Sequence, residues 1–174
     1  MSSQARTLTA MTEEPRWLSA DEQLAWQGYR LMNRRLDARL ARELSRDNGL
    51  SMQDYDVLSA LTDGPEHRWC AKDLGTHLLW SPSRLSHHLD RMQGRGLVRR
   101  DTCPEGRGTD VVLTSKGLAV IEAAAPNHVA AVRHAFIDRL TPDDLAALTR
   151  LSATVIDGLQ APADTTSSRA SRVS

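Results

Sequence analysis

Residues 81–100 read SPSRLSHHLDRMQGRGLVRR, and this stretch decides how the rest of the chain is interpreted. Ser81 followed by Pro82 is typical of a helix start, because serine caps the first turn and proline at the first helical position loses no hydrogen bond. Apolar residues then recur at i, i+4 and i+7. They are Leu85, Leu89 and Met92. The pattern predicts a helix that ends at Arg95 and Gly96 and buries one face.

Polar and basic side chains are left for the outer face of this helix. They are Ser83, Arg84, Ser86, His87, His88 and Arg91. The two adjacent histidines point about 100° apart on a helix, which argues against one metal ion held by both. A metal site made of His67, Cys70 and His77 would require a fold that brings these three side chains together. We therefore predict no metal site and no cofactor.

Size and composition indicate one soluble domain with extensions. The chain has 174 residues, of which 40% are hydrophobic and 25% are charged. No apolar run approaches the roughly 20 residues that cross a bilayer, and the N-terminus lacks the apolar centre of a secretory signal. Two cysteines, Cys70 and Cys103, fit a reducing compartment. We expect a cytoplasmic protein without membrane contact.

Charge is balanced along the whole chain but not locally. Lys plus Arg and Asp plus Glu each total 22, which excludes a wholly basic nucleic-acid binder but not a basic patch. The segment from Arg84 to Arg107 is rich in arginine. Its arginines are at positions 84, 91, 95, 99, 100 and 107, against the acids Asp90, Asp101 and Glu105. Positive charge is therefore concentrated in and just after the predicted helix.

Three helical patterns come before this stretch. Ser19 and Glu22 have capping-box spacing and begin a long helix over about 19–46. Because one small core cannot cover so long an apolar face, we expect part of it to contact another chain. Ser51 begins a second helix that ends at the turn residues 62–65. A short third helix carries Ala71, Leu74 and Leu78 on one face.

A hairpin and two helices follow it. The segments LVRRDT and DVVLT are typical of two strands, and CPEGRGT between them is typical of a hairpin tip. A fifth helix begins at Thr114 or Ser115, and Pro126 within it predicts a kink or a break. Thr141 and the acidic residues after it begin the last helix.

This order predicts a mainly α fold with a small β-hairpin wing, a winged helix-turn-helix flanked by N- and C-terminal dimerisation helices. Residues 70–113 resemble the DNA-binding lobe of the MarR family of bacterial transcriptional regulators, and the resemblance extends over about 20–159. Several short motifs carry it. They are Ala71 to Leu74 with Leu78, Ser81-x-Ser83, Leu89-Asp90-Arg91-Met92, Arg95-Gly96-Leu97-Val98, Gly106-Arg107-Gly108, and Leu113-Thr114-x-x-Gly117.

Together, the polar, unpatterned ends and the resemblance predict five regions. They are a disordered tail at 1–16, an N-terminal dimerisation helix at 17–46, the DNA-binding lobe at 47–114, C-terminal dimerisation helices at 115–160, and a disordered tail at 161–174. The resemblance also implies a ligand-responsive regulator, a repressor, that binds a pseudo-palindromic operator in double-stranded DNA as a homodimer.

The residues expected to contact DNA lie on the recognition helix and in the wing. They are Ser81, Ser83, Arg84, Ser86, His87, His88, Arg91 and Arg107. Arg84 is placed to pair bidentately with guanine, and serines near a helix start suit phosphate contacts. The resemblance implies that Arg107 inserts into the minor groove from the tip of the wing.

The resemblance also implies a small-molecule effector, commonly an aromatic or anionic compound. Trp26, Tyr29, Arg30 and Tyr55 offer aromatic walls and one cation for it. Cys103, near the wing arginines, is either a thiol of lowered pKa that senses oxidants or an inert exposed thiol.

No motif of an enzyme is present. The sequence contains no Gly-x-Ser-x-Gly elbow, no phosphate-binding loop and no His-Glu-x-x-His pattern, so we expect no catalysis. Two functions remain open. One is the ligand-responsive regulator, and the other is a non-responsive winged helix that binds DNA or a partner in an architectural role.

Overall fold

The computed structural model describes residues 15–102 and 108–160 of the chain. Most of these residues are helical. The helices are α1 (Ala20–Asn48), α2 (Met52–Asp63), α3 (Ala71–His77), α4 (Pro82–Gly94), α5 (Ser115–Ala135) and α6 (Pro142–Gln160), with short 3-10 turns at Pro65–His67 and Ile137–Arg139. The strands are β1 (Arg68–Cys70), β2 (Val98–Thr102) and β3 (Thr109–Leu113). The predicted fold class is confirmed.

The predicted helix starts are confirmed by their hydrogen bonds. At α2, the Ser51 amide donates to the Asp54 carboxylate at 3.0 Å and the Asp54 amide donates to the Ser51 hydroxyl at 3.1 Å. At α4, the Arg84 amide donates to the Ser81 hydroxyl at 3.3 Å. Such caps satisfy amides that would otherwise be orphaned, and each stabilises its helix by about 1 kcal/mol.

The chain divides into two compact units, one through Asp37 and one from Ala38 onward. The second unit contains the buried core. Its fully buried large side chains are Leu50, Val57, Leu58, Leu61, Leu74, Leu89, Met92, Val98 and Val111. All three apolar residues predicted for the inner face of α4 are buried: Leu85, Leu89 and Met92. Burial of this face fixes the orientation of α4 on the core.

Strand β1 was not predicted from the sequence. It pairs antiparallel with β3, so that the sheet has the order β1-β3-β2 rather than being a lone hairpin. The Arg68 guanidinium donates to the buried Asp110 carboxylate at 3.2 Å and holds the two strands together. Three residues are too few to show the period-2 alternation by which strands are recognised in a sequence.

Of the kink or break predicted at Pro126, the break does not occur, because α5 runs continuously from Ser115 to Ala135. Proline removes the hydrogen bond to the carbonyl four residues earlier, here that of Glu122. Both residues are exposed, so water can solvate that carbonyl and the helix continues past the proline.

Large apolar side chains remain exposed in both units. In the first unit they are Trp17, Leu18, Leu24, Trp26, Tyr29, Leu31 and Met32. On α6 they are Leu151, Val155, Ile156 and Leu159. Among the helices that the structure describes, none combines the length and apolar character needed to cross a membrane. The predicted tails at 1–16 and 161–174 fall outside the described residues, except for residues 15 and 16.

Candidate nucleic-acid interface

A tight turn joins α3 to α4 and sets the direction in which α4 leaves the core. The Leu78 amide donates to the Leu74 carbonyl at 2.9 Å, and the Trp80 amide donates to the Gly75 carbonyl at 2.9 Å. Between them, Leu79 has a φ of 55°, a left-handed conformation that disfavours L side chains. The side chain of Leu79 is exposed. The two hydrogen bonds and the buried face of α4 therefore hold the turn in place despite this strain.

The outer face of α4 is polar and accessible, as predicted. Six of its predicted residues are exposed: Ser81, Ser83, Arg84, Ser86, His87 and Arg91. Arg107, the predicted wing residue, and Cys103, the predicted sensor thiol, lie outside the described residues.

Arg84 is supported by an aromatic ring. The carbon at the centre of its guanidinium lies 4.4 Å from the centroid of the Trp80 ring, within the range of a cation–π contact. Because the ring contacts one face of the guanidinium, its edge N–H groups stay available to acceptors. An arginine stacked on an aromatic ring at the start of a helix is suited to bidentate recognition.

Arg100 of β2 connects the wing to α4. It forms an ion pair with Asp90 and donates to the Ser86 carbonyl at 2.9 Å. This contact with Arg100 holds the pKa of the Asp90 carboxyl below its usual range. The pair neutralises an acid on α4 that would otherwise repel an anionic partner. Sequence reasoning missed it because the two residues are ten positions apart and belong to different elements.

The prediction that His88 points outward is wrong. The residue is only 6% exposed, and its Nε2 atom lies 3.1 Å from the Asp54 Oδ1 atom. The physical reason lies in the helical spacing, since position 88 is three residues after Leu85 and four before Met92, on the same face. Positions 85, 88, 89 and 92 have the i, i+3, i+4 and i+7 spacing of one helical face, so this spacing could have predicted that His88 is buried. His88 is therefore part of the support of α4 rather than its outer face.

Asp54 is the centre of a buried polar cluster beneath α4. Its Oδ2 atom accepts a hydrogen bond of 2.7 Å from Arg95, and Arg95 also donates to the Gly49 carbonyl at 3.1 Å. Burial alone would raise the pKa of Asp54, but hydrogen bonds from Arg95 and Ser51 outweigh it and lower the pKa. The carboxylate thus ties the start of α2 to the end of α4. Sequence analysis identified none of these contacts.

The protonation state of His88 follows from its two partners. An Arg91 side-chain N–H lies 2.9 Å from His88 Nδ1, and since arginine only donates, Nδ1 is the acceptor. The ring proton is then on Nε2, which faces Asp54. Burial lowers the pKa of His88, and the Arg91 charge lowers it further, against the opposing effect of Asp54. The neutral form is therefore favoured near pH 7.

Residues predicted to bind an effector lie in both units. In the first unit, the Trp26 and Tyr29 rings stack at 5.8 Å, and the Arg30 guanidinium is 5.8 Å from the Trp26 centroid. In the second unit, the Tyr55 ring lies 4.3 Å from that of His128. Their role in binding an effector stays a prediction. Within residues 15–102 and 108–160, no group of three or more His, Cys, Asp or Glu side chains is arranged to hold a metal ion.

Solved structures resemble this chain along most of its length. AbsC, a MarR family transcriptional regulator from Streptomyces coelicolor, is 39% identical, with a TM-score of 0.81, over 85% of this chain and 100% of that chain. A second MarR family regulator from Streptomyces coelicolor, solved in complex with DNA, is 39% identical, with a TM-score of 0.81, over 88% of this chain and 97% of that chain.

A more distant likeness supports the fold alone. A mutant of MarR from E. coli, solved with operator DNA, is 23% identical with a TM-score of 0.68, over 80% of this chain and 99% of that chain. No protein-family model and no curated protein matches the chain. From its identity to the two Streptomyces regulators over nearly their full length, the chain belongs to the MarR family of transcriptional regulators.

Proposed function

We propose that this protein is a ligand-responsive repressor that binds a pseudo-palindromic operator in double-stranded DNA as a homodimer. One observation carries the proposal. The outer face of α4 presents two arginines, Arg84 and Arg91, that form no ion pair within the described residues, while the acid beside them, Asp90, is neutralised by Arg100. A buried inner face and a cationic outer face are what a recognition helix needs in the major groove. A relative that is 39% identical was solved in complex with DNA, which supports the same partner here.

The contacts on α4 divide by their chemistry. Arg84, braced by Trp80, reads a base edge, with guanine as the favoured partner of its paired N–H groups. Ser81 and Ser83 bind phosphate: their hydroxyls lie 3.3 Å apart, so only one of the two protons is used between them and the other stays available to donate. Ser86, His87 and Arg91 extend the contact along the helix. Arg107 enters the minor groove from the wing.

A second copy of the chain covers the exposed apolar residues of the two dimerisation regions, which we place at 17–46 and 115–160 around the DNA-binding lobe at 47–114. Exposed apolar residues between Trp17 and Met32, and again between Leu151 and Leu159, are more than an isolated monomer usually carries. A two-fold axis would set the recognition helices about 34 Å apart, which is one turn of DNA.

The effector is a small aromatic or anionic compound that contacts the stacked Trp26 and Tyr29 rings. Arg30 beside Trp26 provides a charge that an aromatic carboxylate or phenolate would pair with. Such a compound changes DNA affinity only if it binds the free and DNA-bound conformations unequally. An effector that binds the free conformation more tightly than the DNA-bound one releases the repressor from its operator.

A selection from random-sequence duplexes tests this function. We expect wild-type protein to enrich an inverted repeat with half-site centres about 10 base pairs apart. A panel of phenols and aromatic carboxylates, screened by shift of the melting temperature, should then contain a compound that weakens binding to the enriched duplex. Retention of DNA without any enriched repeat would contradict the operator and favour an architectural role. Binding of a compound without any effect on DNA affinity would contradict the ligand response.

A further inference from the structure

We propose that His88 is a positioning residue for Arg91. The neutral imidazole holds the Arg91 guanidinium against α4, and protonation of the imidazole releases the guanidinium toward DNA phosphates. DNA binding then strengthens as the pH falls through the titration of His88. The inference rests on the proposed DNA binding and concerns how that same helix is regulated.

The contact between the two side chains exists in only one protonation state. Arg91 Nη2 lies 2.9 Å from His88 Nδ1, and a guanidinium has donors but no acceptor. Nδ1 accepts this hydrogen bond only while its lone pair is free. A proton on Nδ1 would place two donors and two positive charges about 3 Å apart, which is repulsive.

The His88 ring faces a carboxylate on the side away from Arg91, although burial lowers the pKa of the ring. Asp54 Oδ1 lies 3.1 Å from Nε2, on the opposite side of the ring from Arg91. Asp56 of α2 is a second carboxyl close enough for the charge of His88 to act on it, and burial raises the pKa of that carboxyl. The positive charge of Arg95 disfavours protonation of His88, although Arg95 also donates a hydrogen bond to the Asp54 carboxylate. The Asp54 carboxylate therefore offsets part of the cost of burying the imidazolium.

Two further charged groups lie close to Asp56, the second carboxyl near His88. Arg84 of α4 and His128 of α5 both act on its carboxyl. Burial lowers the pKa of His128, against the effect of Asp56, so this second histidine also favours the neutral form. Its ring packs on Tyr55 rather than on Arg91. His128 is thus a second titrating group near the cluster, but it holds no arginine. Its contribution to the pH dependence of DNA binding must be separated from that of His88.

Arg91 is the member of the cluster that is free to move. It is exposed, whereas His88 and Asp54 are buried at 6% and 3% exposure. The groove on this side of α4 has a volume of about 510 Å³. Its lining includes Gln53, Asp54, Arg84, His88, Arg91 and Arg95. A released guanidinium has space to swing away from the helix, and a phosphate in this groove would attract it.

The first test uses wild-type protein without DNA. In ¹⁵N NMR spectra we expect His88 Nδ1 to be unprotonated at about pH 7.5 and the ring to titrate below the ordinary histidine pKa of about 6.5. The Arg91 side-chain N–H signals should lose their protection over the same pH range. A proton on Nδ1 at about pH 7.5, or Arg91 signals that do not follow the titration, would overturn the proposal.

The second test measures binding to a mixed-sequence duplex of about 30 base pairs, long enough for two half-sites. All variants carry His87→Gln, so that the exposed neighbouring imidazole does not contribute. From about pH 8 to about pH 5.5 we expect Kd to fall by about three- to tenfold in this background, the worth of one added phosphate contact. His88→Gln should remove most of that change, and so should Arg91→Gln.

The double variant with His88→Gln and Arg91→Gln completes the cycle and removes contributions shared by all four proteins, including that of His128. A pH effect that persists in Arg91→Gln but disappears in the double variant would mean that the His88 charge acts directly, and would overturn the positioning role. Binding by the His87→Gln protein that does not depend on pH would overturn this inference alone. Failure of the wild type to bind DNA at every pH would overturn the proposed function as well.

Discussion

Replacing Asp54 by alanine is expected to lower the free energy of unfolding by about 1–3 kcal/mol, because a buried carboxylate that accepts several hydrogen bonds is removed from beneath α4. The Asp54 carboxylate accepts from Arg95 at 2.7 Å, from the Ser51 amide at 3.0 Å, and lies 3.1 Å from His88. Alanine would leave Arg95 without its ion pair and would remove the carboxylate that faces the buried His88 ring. It would also remove half of the capping box of α2.

Urea denaturation at about pH 7.5 measures this loss, at one fixed protein concentration because association would shift the midpoint. Asp47→Ala is the matched control. Asp47 also pairs with an arginine, Arg46, but on the surface, where such a pair contributes about 0–1 kcal/mol. Equal losses in the two variants would show that the buried cluster has no special role in holding α4.

The second large effect is expected for Gly117→Ala, which should cost about 3 kcal/mol of stability. A Cβ atom at this position would lie 2.1 Å from the Leu97 carbonyl oxygen and 2.8 Å from the Leu113 Cδ1 atom. The first of these is backbone, which cannot turn aside as a side chain can. The first turn of α5 would have to move away from the segment that follows α4, and densely packed interiors accommodate such shifts poorly.

Gly158→Ala is the control for this substitution. A Cβ atom at Gly158 would meet no atom within 4 Å, and the residue lies inside α6. Alanine is the better helix former by about 1 kcal/mol, so this variant should be as stable as the wild type or more stable. Thermal unfolding of the two variants side by side gives opposite signs if close backbone approach at Gly117 is real. A stable Gly117→Ala protein would contradict the packing described at the start of α5.

Local signals account for what the sequence predicted well. Ser51, Ser81 and Thr141 cap their helices as expected, since capping depends on residues only three positions apart. The three apolar residues of α4 were found by periodicity. The fold class followed from the order of these elements, and the comparisons confirm the family that this order suggested.

Contacts between distant positions account for what the sequence did not predict. Asp54 and Arg95 are 41 positions apart, and Arg68 and Asp110 are 42 apart, so neither pair shows a local pattern. His88 was misplaced because histidine counts as polar in a periodicity test, although a neutral, hydrogen-bonded imidazole can be buried. The buried support of α4 and the strand β1 therefore required the three-dimensional structure.

The central claim, that the outer face of α4 reads DNA, is tested most directly by the affinity of Arg84→Ala for the duplex enriched by the wild type. We expect a loss of about 1–3 kcal/mol and a relaxed preference at one base pair in each half-site. Arg150→Ala, which removes an exposed arginine from α6, serves as the control and should change Kd by less than about twofold. If Arg84→Ala binds the enriched duplex as tightly and as selectively as the wild type, α4 is not the recognition helix.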